Sequence, residues 1–265
     1  MLDTNNKTSF VIGWIPARAG SRGVPHKNMT LVRGKPLIQY TIDTALECAS
    51  LDQIVVLSDD PEVDHLVENR YPNNARIVFM REPACIAQDY STDYQACLYT
   101  LITLERMISL RPKFIVHLRC SHLLRNPAII DRAVQEFMKG YDSKFYTLRS
   151  YYDSLRSVSV AQQSPYKMWI PTGDPMEIKP LLTHPYVKEP YNHQRQRLPM
   201  VYHQNGYVDI TRYSTVMEKQ SMSGDHVMPF IVELKPGEGE IDTPEELKMA
   251  IAHADYENSR GRVPS

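Results

Sequence analysis

The chain has 265 residues, of which 42% are hydrophobic and 23% charged, and its formal net charge is −1 at pH 7. These values are ordinary for a globular protein, and the near-zero charge excludes a general electrostatic attraction to nucleic acid or to an anionic membrane. No apolar run approaches the roughly 18 residues of a membrane span. The N-terminal segment lacks the layout of a signal peptide, and the four cysteines form no Cys-x-x-Cys pair. We therefore expect a cytoplasmic protein without a zinc site.

A basic, glycine-containing loop follows the first apolar run, Phe10 to Ile15, and no acidic residue occurs between Thr4 and Ile42. The cations and glycines of the loop are Arg18, Gly20, Arg22, Gly23 and Lys27. A loop of this kind between the first strand and the first helix is where open α/β sheets hold anionic ligands. The sequence thus predicts a polyphosphate site, with a solvated basic surface turn as the alternative.

Apolar periodicity predicts alternating strands and helices through the first half of the chain. The predicted strands cover residues 9–17, 53–57, 76–80 and 113–118, and the predicted helices cover 37–49, 61–70, 91–109 and a segment that starts at Pro127. Alternation at this spacing implies βαβ units. The predicted fold class is therefore α/β, with a doubly wound, mostly parallel sheet.

The pattern changes after about residue 140. Short strands are predicted at 145–148, 157–160 and 206–211, and a final helix from Pro244 to about His253. The stretch 163–203 is rich in Pro, Tyr, His and Arg, and it is too long for a structureless loop in a compact domain. We expect it to form a hairpin or arm that packs against a partner or covers a site. Residues 1–265 are interpreted as a single domain in which about 141–205 includes an arm or a small dimerisation subdomain.

An acidic stretch precedes the predicted final helix. Thr243-Pro244-Glu245-Glu246 is a capping box with proline at the first helical position, so the start of this helix is well specified. Glu240 and Asp242 lie two residues apart and share a side in extended chain. Two such carboxylates suit Mg²⁺ when a nucleotide supplies other ligands; the alternative is the ordinary enrichment of acids before helices.

Two stretches resemble the cytidylyltransferases that activate acidic sugars, namely the CMP-acylneuraminate (CMP-sialic acid) synthetases and their CMP-Kdo relatives. The first is Arg-Ala-Gly-Ser-Arg-Gly-Val-Pro-His-Lys-Asn at 18–28, in which the family usually has lysine in place of Arg22. The second is Glu-Ile-Asp-Thr at 240–243, where the family has Asp-Ile-Asp-Thr. The resemblance extends from Ile12 to about Ala252 and implies a nucleotide-diphospho-sugar transferase-like sheet with a protruding dimerisation arm.

The resemblance also implies roles for these residues. Arg18, Arg22 and Lys27 would be the catalytic cations that hold the phosphates of CTP, while Asp242 and Glu240 would hold Mg²⁺. The implied nucleotide contacts are Ser21, Gly23, Asn28, Arg81 and Ser91.

Residues 81–92 resemble the family's Arg-Pro-Ala-Glu-Leu-Ala-x-Asp segment, which holds the cytosine and the ribose. In this chain Glu82 separates Arg81 from the proline. An alternative role for Ser91 and Thr92 is to cap the helix that follows them.

Three further stretches, at 117–125, 154–169 and 195–207, resemble parts of the family that bind the acceptor sugar. They supply the expected sugar-binding residues, which are Arg119, Lys167, Arg195 and Asn205. In the sialic-type branch of the family, the arm that carries the lysine and the arginine often comes from the other subunit of a dimer, so we expect a homodimer. His122 is a weaker candidate for a base, since a lone loop histidine is usually a plain polar residue.

The resemblance implies a cytidylyltransferase that couples CTP to a nonulosonic (sialic-acid-like) sugar acid, releasing pyrophosphate, with Mg²⁺ as cofactor and no nucleic-acid or membrane partner. Three alternatives stay open. They are a Kdo-type enzyme, an enzyme for a phosphonate or another acid, and a non-catalytic nucleotide-binding relative.

Overall fold

Residues 10–20, 23–88, 90–139, 152–173 and 176–259 are described by the structure, which is a computed structural model. The strands are β1 (Val11–Pro16), β2 (Leu31–Val32), β3 (Lys35–Pro36), β4 (Gln53–Ser58), β5 (Ile77–Arg81), β6 (Phe114–His117), β7 (Ser154–Val160), β8 (Trp169–Pro171), β9 (Ile178–Pro180), β10 (Tyr202–Arg212) and β11 (Val227–Ile231). The α-helices are α1 (Leu37–Glu47), α2 (Pro61–Arg70), α3 (Asp93–Ile108), α4 (Pro127–Lys139), α5 (Tyr213–Met217) and α6 (Pro244–Ser259).

In the part of the chain that the structure describes, seven strands form one central sheet in the order β11-β7-β10-β6-β1-β4-β5. The strands β6, β1, β4 and β5 are parallel to one another, while β10 is antiparallel to both of its neighbours, β6 and β7. The prediction of a mostly parallel α/β sheet is confirmed. The carboxyl ends of the parallel strands meet at one edge, which is where ligands bind in such sheets.

Both faces of the sheet are covered by helices. Side chains alternate along each strand, so Ile15 and Val56 pack on one face with α1, α2 and α4, whereas Trp14 and Leu57 pack on the other with α3 and α5. Strands buried on both faces need continuous apolar runs. This requirement explains why β1 and β4 were recognisable from the sequence.

The predicted elements differ from the observed ones mainly at their ends. Most boundaries move by one or two residues, but α6 continues to Ser259 and β10 begins at Tyr202. The edge strand β11 and the short helix α5 were not predicted. The predicted strand at 145–148 lies outside the described residues.

Among its described residues, the region 163–203 contains the hairpin β8–β9 and three single 3₁₀ turns. Large apolar side chains are exposed along it; they include Met176 (89%), Ile178 (59%), Tyr186 (92%) and Met200 (70%). None of the helices in the described ranges is long and apolar enough to cross a membrane.

Asp153 ties the start of β7 to the segment before β11. Its Oδ2 accepts hydrogen bonds from the backbone N–H of Asp225 at 2.8 Å and of His226 at 3.1 Å, and from Lys219 Nζ at 2.9 Å. Burial opposes ionisation, but these hydrogen bonds outweigh it and lower the pKa of the Asp153 carboxyl. The carboxylate therefore contributes stability above the unfolded pKa of about 3.9, and the contribution is lost as the pH falls through the lower folded pKa.

Asp153→Asn is expected to lower the free energy of unfolding at neutral pH by about 1–3 kcal/mol, because two backbone N–H groups and Lys219 lose a charged acceptor. Urea unfolding of both proteins across acid pH measures this difference, which should close as the pH falls below about 4. The matched control is Asp225→Asn, which removes a largely exposed carboxylate bound to the same lysine and should cost less. A difference that does not change with pH would contradict the assignment.

Candidate active site

The loop after β1 is held at the carboxyl edge of the sheet. The backbone N–H of Ala19 donates to Asp59 Oδ1 at 2.8 Å, which attaches the loop to the end of β4. Arg18 Nη1 donates to the carbonyl of Gln88 at 2.5 Å, and Asn28 Nδ2 donates to the carbonyl of Arg18 at 2.9 Å. Asn28 is thus a buried support of the loop. Two residues of the predicted phosphate site lie outside the described ones, namely Ser21 and Arg22.

The same loop contacts the acidic stretch directly. Lys27 Nζ donates to the carbonyl of Ile241 at 2.7 Å and to Asp242 Oδ1 at 2.9 Å. A Cβ added to Gly23 would lie 1.8 Å from the carbonyl oxygen of Asp242, so only glycine permits this close approach. The loop and the acidic stretch, which are separated by more than 200 residues, therefore form one structure.

The capping box fixes the backbone of Asp242. Glu246 Oε2 accepts from the N–H groups of Asp242 and Thr243 at 2.8 and 2.9 Å, and Thr243 Oγ1 accepts from Glu246 N at 3.2 Å. This is the reciprocal pattern that the sequence predicted. It leaves the Asp242 side chain 66% exposed beside Lys27, where a ligand can reach it.

Glu240 packs more deeply than Asp242. Its carboxyl lies against Gly206, whose φ is +64°, and a Cβ at that glycine would lie 2.2 Å from Glu240 Oε1. Burial is the main cause that raises the pKa of Glu240; Arg119 opposes the shift and Asp242 adds to it. A bound cation would therefore stabilise the charged form of this carboxyl.

Arg119 extends from the end of β6 into a group of three carboxylates. Its Nη1 donates to Asp209 Oδ2 at 2.7 Å, its Nη2 lies 3.5 Å from Asp93 Oδ2, and its Nε lies 3.9 Å from Glu240 Oε1. Burial alone would lower the pKa of Arg119, but the three negative charges outweigh burial and raise it. The guanidinium is thus a permanently charged group at the base of the acidic stretch.

Asp209 and Asp93 were not predicted as site residues. Asp209 is 2% exposed, and its Oδ1 has no hydrogen-bond partner within the described ranges. The signal that could have revealed it is a carboxylate inside the apolar run of β10, since buried carboxylates are rare unless paired.

The end of β5 and the segment after it carry two of the predicted nucleotide contacts, Arg81 and Ser91. Arg81, the expected base contact, is 59% exposed in its side chain and lies 3.7 Å from Asp64 Oδ2. Glu82 is the buried residue at this point, because neighbouring positions in a strand face opposite ways. Ser91 Oγ accepts from the backbone N–H of Gln88 at 3.2 Å, so it closes a turn. The nucleotide contacts of Arg81 and Ser91 stay predictions.

Thr92 caps α3 in a capping box, which is the alternative role that the sequence offered for it.

His122 and Asn205 are buried parts of the framework. The two ring nitrogens of His122 lie 3.0 Å from the Glu238 carbonyl and 2.9 Å from the Asn205 carbonyl, which occupies both of its polar atoms. Asn205 Nδ2 donates to Ser159 Oγ at 2.8 Å. These contacts make both side chains supports for the loops around the acidic stretch.

A cavity of about 770 Å³ opens beside Glu240 and Asp242. It lies between the ends of β7 and β10 and the segment 233–242, and it is lined by Asn205, His203 and Lys235 among others. Arg195 lines a neighbouring groove and donates to the carbonyl of Ala161 at 2.6 Å. Lys167 is an exposed residue of the arm, and neither it nor Arg195 is among the residues that line the cavity.

Glu240 and Asp242 offer the oxygen donors that Mg²⁺ prefers. No group of three or more His, Cys, Asp or Glu side chains in the described ranges is arranged to hold a metal by itself. An ion bound by this pair would need its remaining ligands from elsewhere, such as phosphate and water. That arrangement is usual for Mg²⁺ bound with a nucleotide.

The sheet, its strand order and the loop at its carboxyl edge define a fold of the nucleotidyltransferase type. A solved CMP:2-keto-3-deoxy-manno-octonic acid synthetase complexed with CTP aligns with a TM-score of 0.62 and 18% identity, covering 94% of this chain and 100% of that one. A 4-diphosphocytidyl-2C-methyl-D-erythritol synthase from Anaerococcus prevotii aligns with a TM-score of 0.58 and 14% identity, over 93% and 96% of the two chains.

The family model described as cytidylyltransferase matches residues 12–166, and the chain belongs to that family. The pseudaminic acid cytidylyltransferase of Campylobacter jejuni is 31% identical over 134 residues, which cover 49% of this chain and 54% of the relative. The CMP-N,N'-diacetyllegionaminic acid synthase of Legionella pneumophila is 36% identical over 94 residues, covering 36% and 37%. The chain spans about half the length, or less, of these curated relatives.

Proposed function

We propose that the protein is a cytidylyltransferase that couples CTP to a nonulosonic acid, giving a CMP-sugar and pyrophosphate. The observation that carries the proposal is the contact of Lys27 with Asp242, which brings a phosphate-type loop and a pair of carboxylates together at the mouth of the cavity. Family membership and the activities of the relatives from Campylobacter jejuni and Legionella pneumophila support the same reaction.

In the proposed reaction, the anomeric hydroxyl of the acid attacks the α-phosphorus of CTP, the bond to the β-phosphate oxygen breaks, and pyrophosphate leaves. Such transfers depend on positioning and on charge neutralisation more than on covalent help. Arg18, Arg22 and Lys27 bind the phosphates and withdraw negative charge from the leaving group. Mg²⁺ held by Glu240 and Asp242 would offset phosphate charge and lower the pKa of the attacking hydroxyl.

The acceptor acid occupies the cavity beside Glu240 in this proposal. Lys235 lines this cavity, and Arg119 lies behind Glu240, with its Nε 3.9 Å from Glu240 Oε1, so both place positive charge near an acceptor carboxylate. Asn205 shapes the wall, and Lys167 and Arg195 would reach an acceptor only from a second copy of the chain. The four free cysteines, three of them buried, fit a reducing compartment such as the cytoplasm.

The proposal is tested by pyrophosphate release from CTP and Mg²⁺ with a panel of acids: N-acetylneuraminate, legionaminate, pseudaminate, Kdo and a simple phosphonate. Release with one nonulosonate and none with Kdo is the expected result. Pyrophosphate release with Kdo alone, or with the phosphonate alone, would show that the acceptor is not a nonulosonic acid of the sialic type. If no acid of the panel gives pyrophosphate release while CTP still raises the melting temperature, the result would favour a non-catalytic nucleotide-binding protein.

We further propose that the arm of residues 163–203 forms a homodimer interface. Several large apolar side chains are exposed along it, and exposed apolar patches mark surfaces that bind other molecules. The double variant Trp169→Glu/Ile178→Lys is expected to shift the protein from dimer to monomer, as measured by sedimentation velocity. Met107→Glu, at an equally exposed apolar position on α3, is the control. A wild-type protein that sediments as a monomer would reject the interface.

A further inference from the structure

Asp209 is a buried carboxylate within an apolar strand, between Val208 and Ile210, which are both 0% exposed. Its Oδ2 accepts hydrogen bonds from Arg119 Nη1 at 2.7 Å and from Gln204 Nε2 at 3.0 Å, while its Oδ1 has no partner among the described residues. A buried carboxylate that is only half satisfied costs free energy, and a buried ion pair adds little net stability. The presence of Asp209 in this strand therefore requires an explanation beyond stability.

The guanidinium of Arg119 is turned toward Asp209 and away from Glu240. Its contact with Asp209 is a short hydrogen bond, and its Nη2 lies 3.5 Å from Asp93 Oδ2. Its Nε lies 3.9 Å from Glu240 Oε1, which is too long for a hydrogen bond. The guanidinium is thus held next to the proposed metal ligand without bonding to it.

The surroundings of Arg119 would allow this gap to close if Asp209 lost its charge. Glu240 cannot retreat, because its carboxyl packs against Gly206, where an added Cβ would lie 2.2 Å from Glu240 Oε1. Arg156 is the register partner of Asp209 on β7, so its side chain lies on the same face of the sheet and brings a second guanidinium to this carboxylate. Without the charge of Asp209, repulsion from Arg156 and attraction to Glu240 would both draw Arg119 toward Glu240.

We infer that Asp209 is a positioning residue that holds Arg119 back from Glu240 and so leaves the Glu240 carboxylate available to a divalent cation. A guanidinium pairs with a carboxylate through two parallel hydrogen bonds, and such a pair would occupy the oxygens that Glu240 offers to Mg²⁺. The inference rests on the proposed function, from which it takes the use of Mg²⁺ with CTP. It concerns metal binding and does not require turnover.

The test is calorimetric titration of the full chain with CTP, without any acceptor acid, once in EDTA and once in saturating Mg²⁺. The ratio of the two dissociation constants measures how much the protein-bound nucleotide gains from the metal. In wild type, Mg²⁺ is expected to tighten CTP binding by about tenfold or more. In Asp209→Asn this gain should fall to about twofold or less, since residues that orient a metal ligand typically affect metal affinity by 10- to 100-fold. The affinity for CTP in EDTA should stay within about threefold of wild type.

A second substitution separates positioning from a structural defect. The double variant Asp209→Asn/Arg119→Met also removes the guanidinium, so nothing is left to close on Glu240. The gain from Mg²⁺ should return to within about threefold of wild type, whereas a distorted strand would not be repaired by a second truncation. Gln204→Ala is the control, because it removes an exposed side chain that donates to the same oxygen of Asp209, and it should leave the gain unchanged.

Three results would overturn the inference: a wild-type protein in which Mg²⁺ does not tighten CTP, an unchanged gain in folded Asp209→Asn, and a lost gain that the double variant does not restore. If Asp209→Asn does not fold, Asp93→Asn replaces it. The Asp93 side chain is 50% exposed and lies near the same guanidinium, so its loss should lower the gain by about threefold, and an unchanged gain would again overturn the inference. The expected pattern without turnover of any acid would defeat the proposed function and leave the role of Asp209 standing.

Discussion

Lys27→Ala is expected to lower kcat/KM for CTP by roughly 10²- to 10³-fold, which is the usual effect of losing one fixed electrostatic group. The ammonium is 16% exposed and is held by the Ile241 carbonyl and by Asp242 before any ligand binds. Its charge is therefore already positioned where phosphates would arrive. A preorganised charge avoids the reorganisation that a mobile surface lysine would require.

The measurement is steady-state pyrophosphate release under CTP-limited conditions. Lys35→Ala is the matched control, because Lys35 is a cation of the same N-terminal region that pairs with Asp43 on the surface. Near-UV circular dichroism and the melting temperature confirm that each variant is folded. A loss smaller than about threefold in a folded Lys27 variant would remove this residue from the site.

Asp242→Asn is expected to abolish activity together with the response to Mg²⁺. The amide keeps the shape of the side chain and its capped backbone, but it loses the charge that a divalent cation needs. It also removes the charged partner of Lys27, so the loop after β1 loses part of its link to the acidic stretch. The expected loss is at least as large as that of Lys27→Ala.

Titration of Mg²⁺ at saturating CTP distinguishes a metal ligand from a structural residue. If Asp242 is a metal ligand, no Mg²⁺ concentration should restore the activity of Asp242→Asn. If Asp242 has only a structural role, the variant should have a lower melting temperature and an unchanged midpoint of the Mg²⁺ titration. Glu245→Gln neutralises a neighbouring exposed acid in the first turn of α6 and serves as the control. Full activity of Asp242→Asn with an unaltered titration would reject the metal assignment.

The parallel half of the sheet was predictable because its strands are buried on both faces and carry unbroken apolar runs. The edge strand β11 was not predictable in this way, since Pro229 lies inside it and proline usually argues against a strand. An edge strand tolerates proline because one side of it has no neighbour to bond. The polar start of β10, from Tyr202 to Asn205, likewise lacks the alternation that marks a strand.

The part of the candidate site that could be predicted from the sequence is the proximity of residues whose positions depend on backbone shape. Gly23, Lys27 and Asp242 stand in motifs whose spacing is set by a loop and a capping box, and the structure brings all three together. Burial of single charged groups could not be predicted, because it depends on packing between distant segments. Glu82 and Asp209 are the two examples, and both are carboxylates placed where carboxylates are rarely found.

The contact between Lys27 and Asp242 spans 215 positions of the chain. Ile241 also belongs to a separate small core with Val32, Leu37 and two alanines of α6, which can form only after that helix docks. During synthesis at the ribosome, the N-terminal loop is made early, but its contact with Asp242 can form only after residue 242 has been added to the chain.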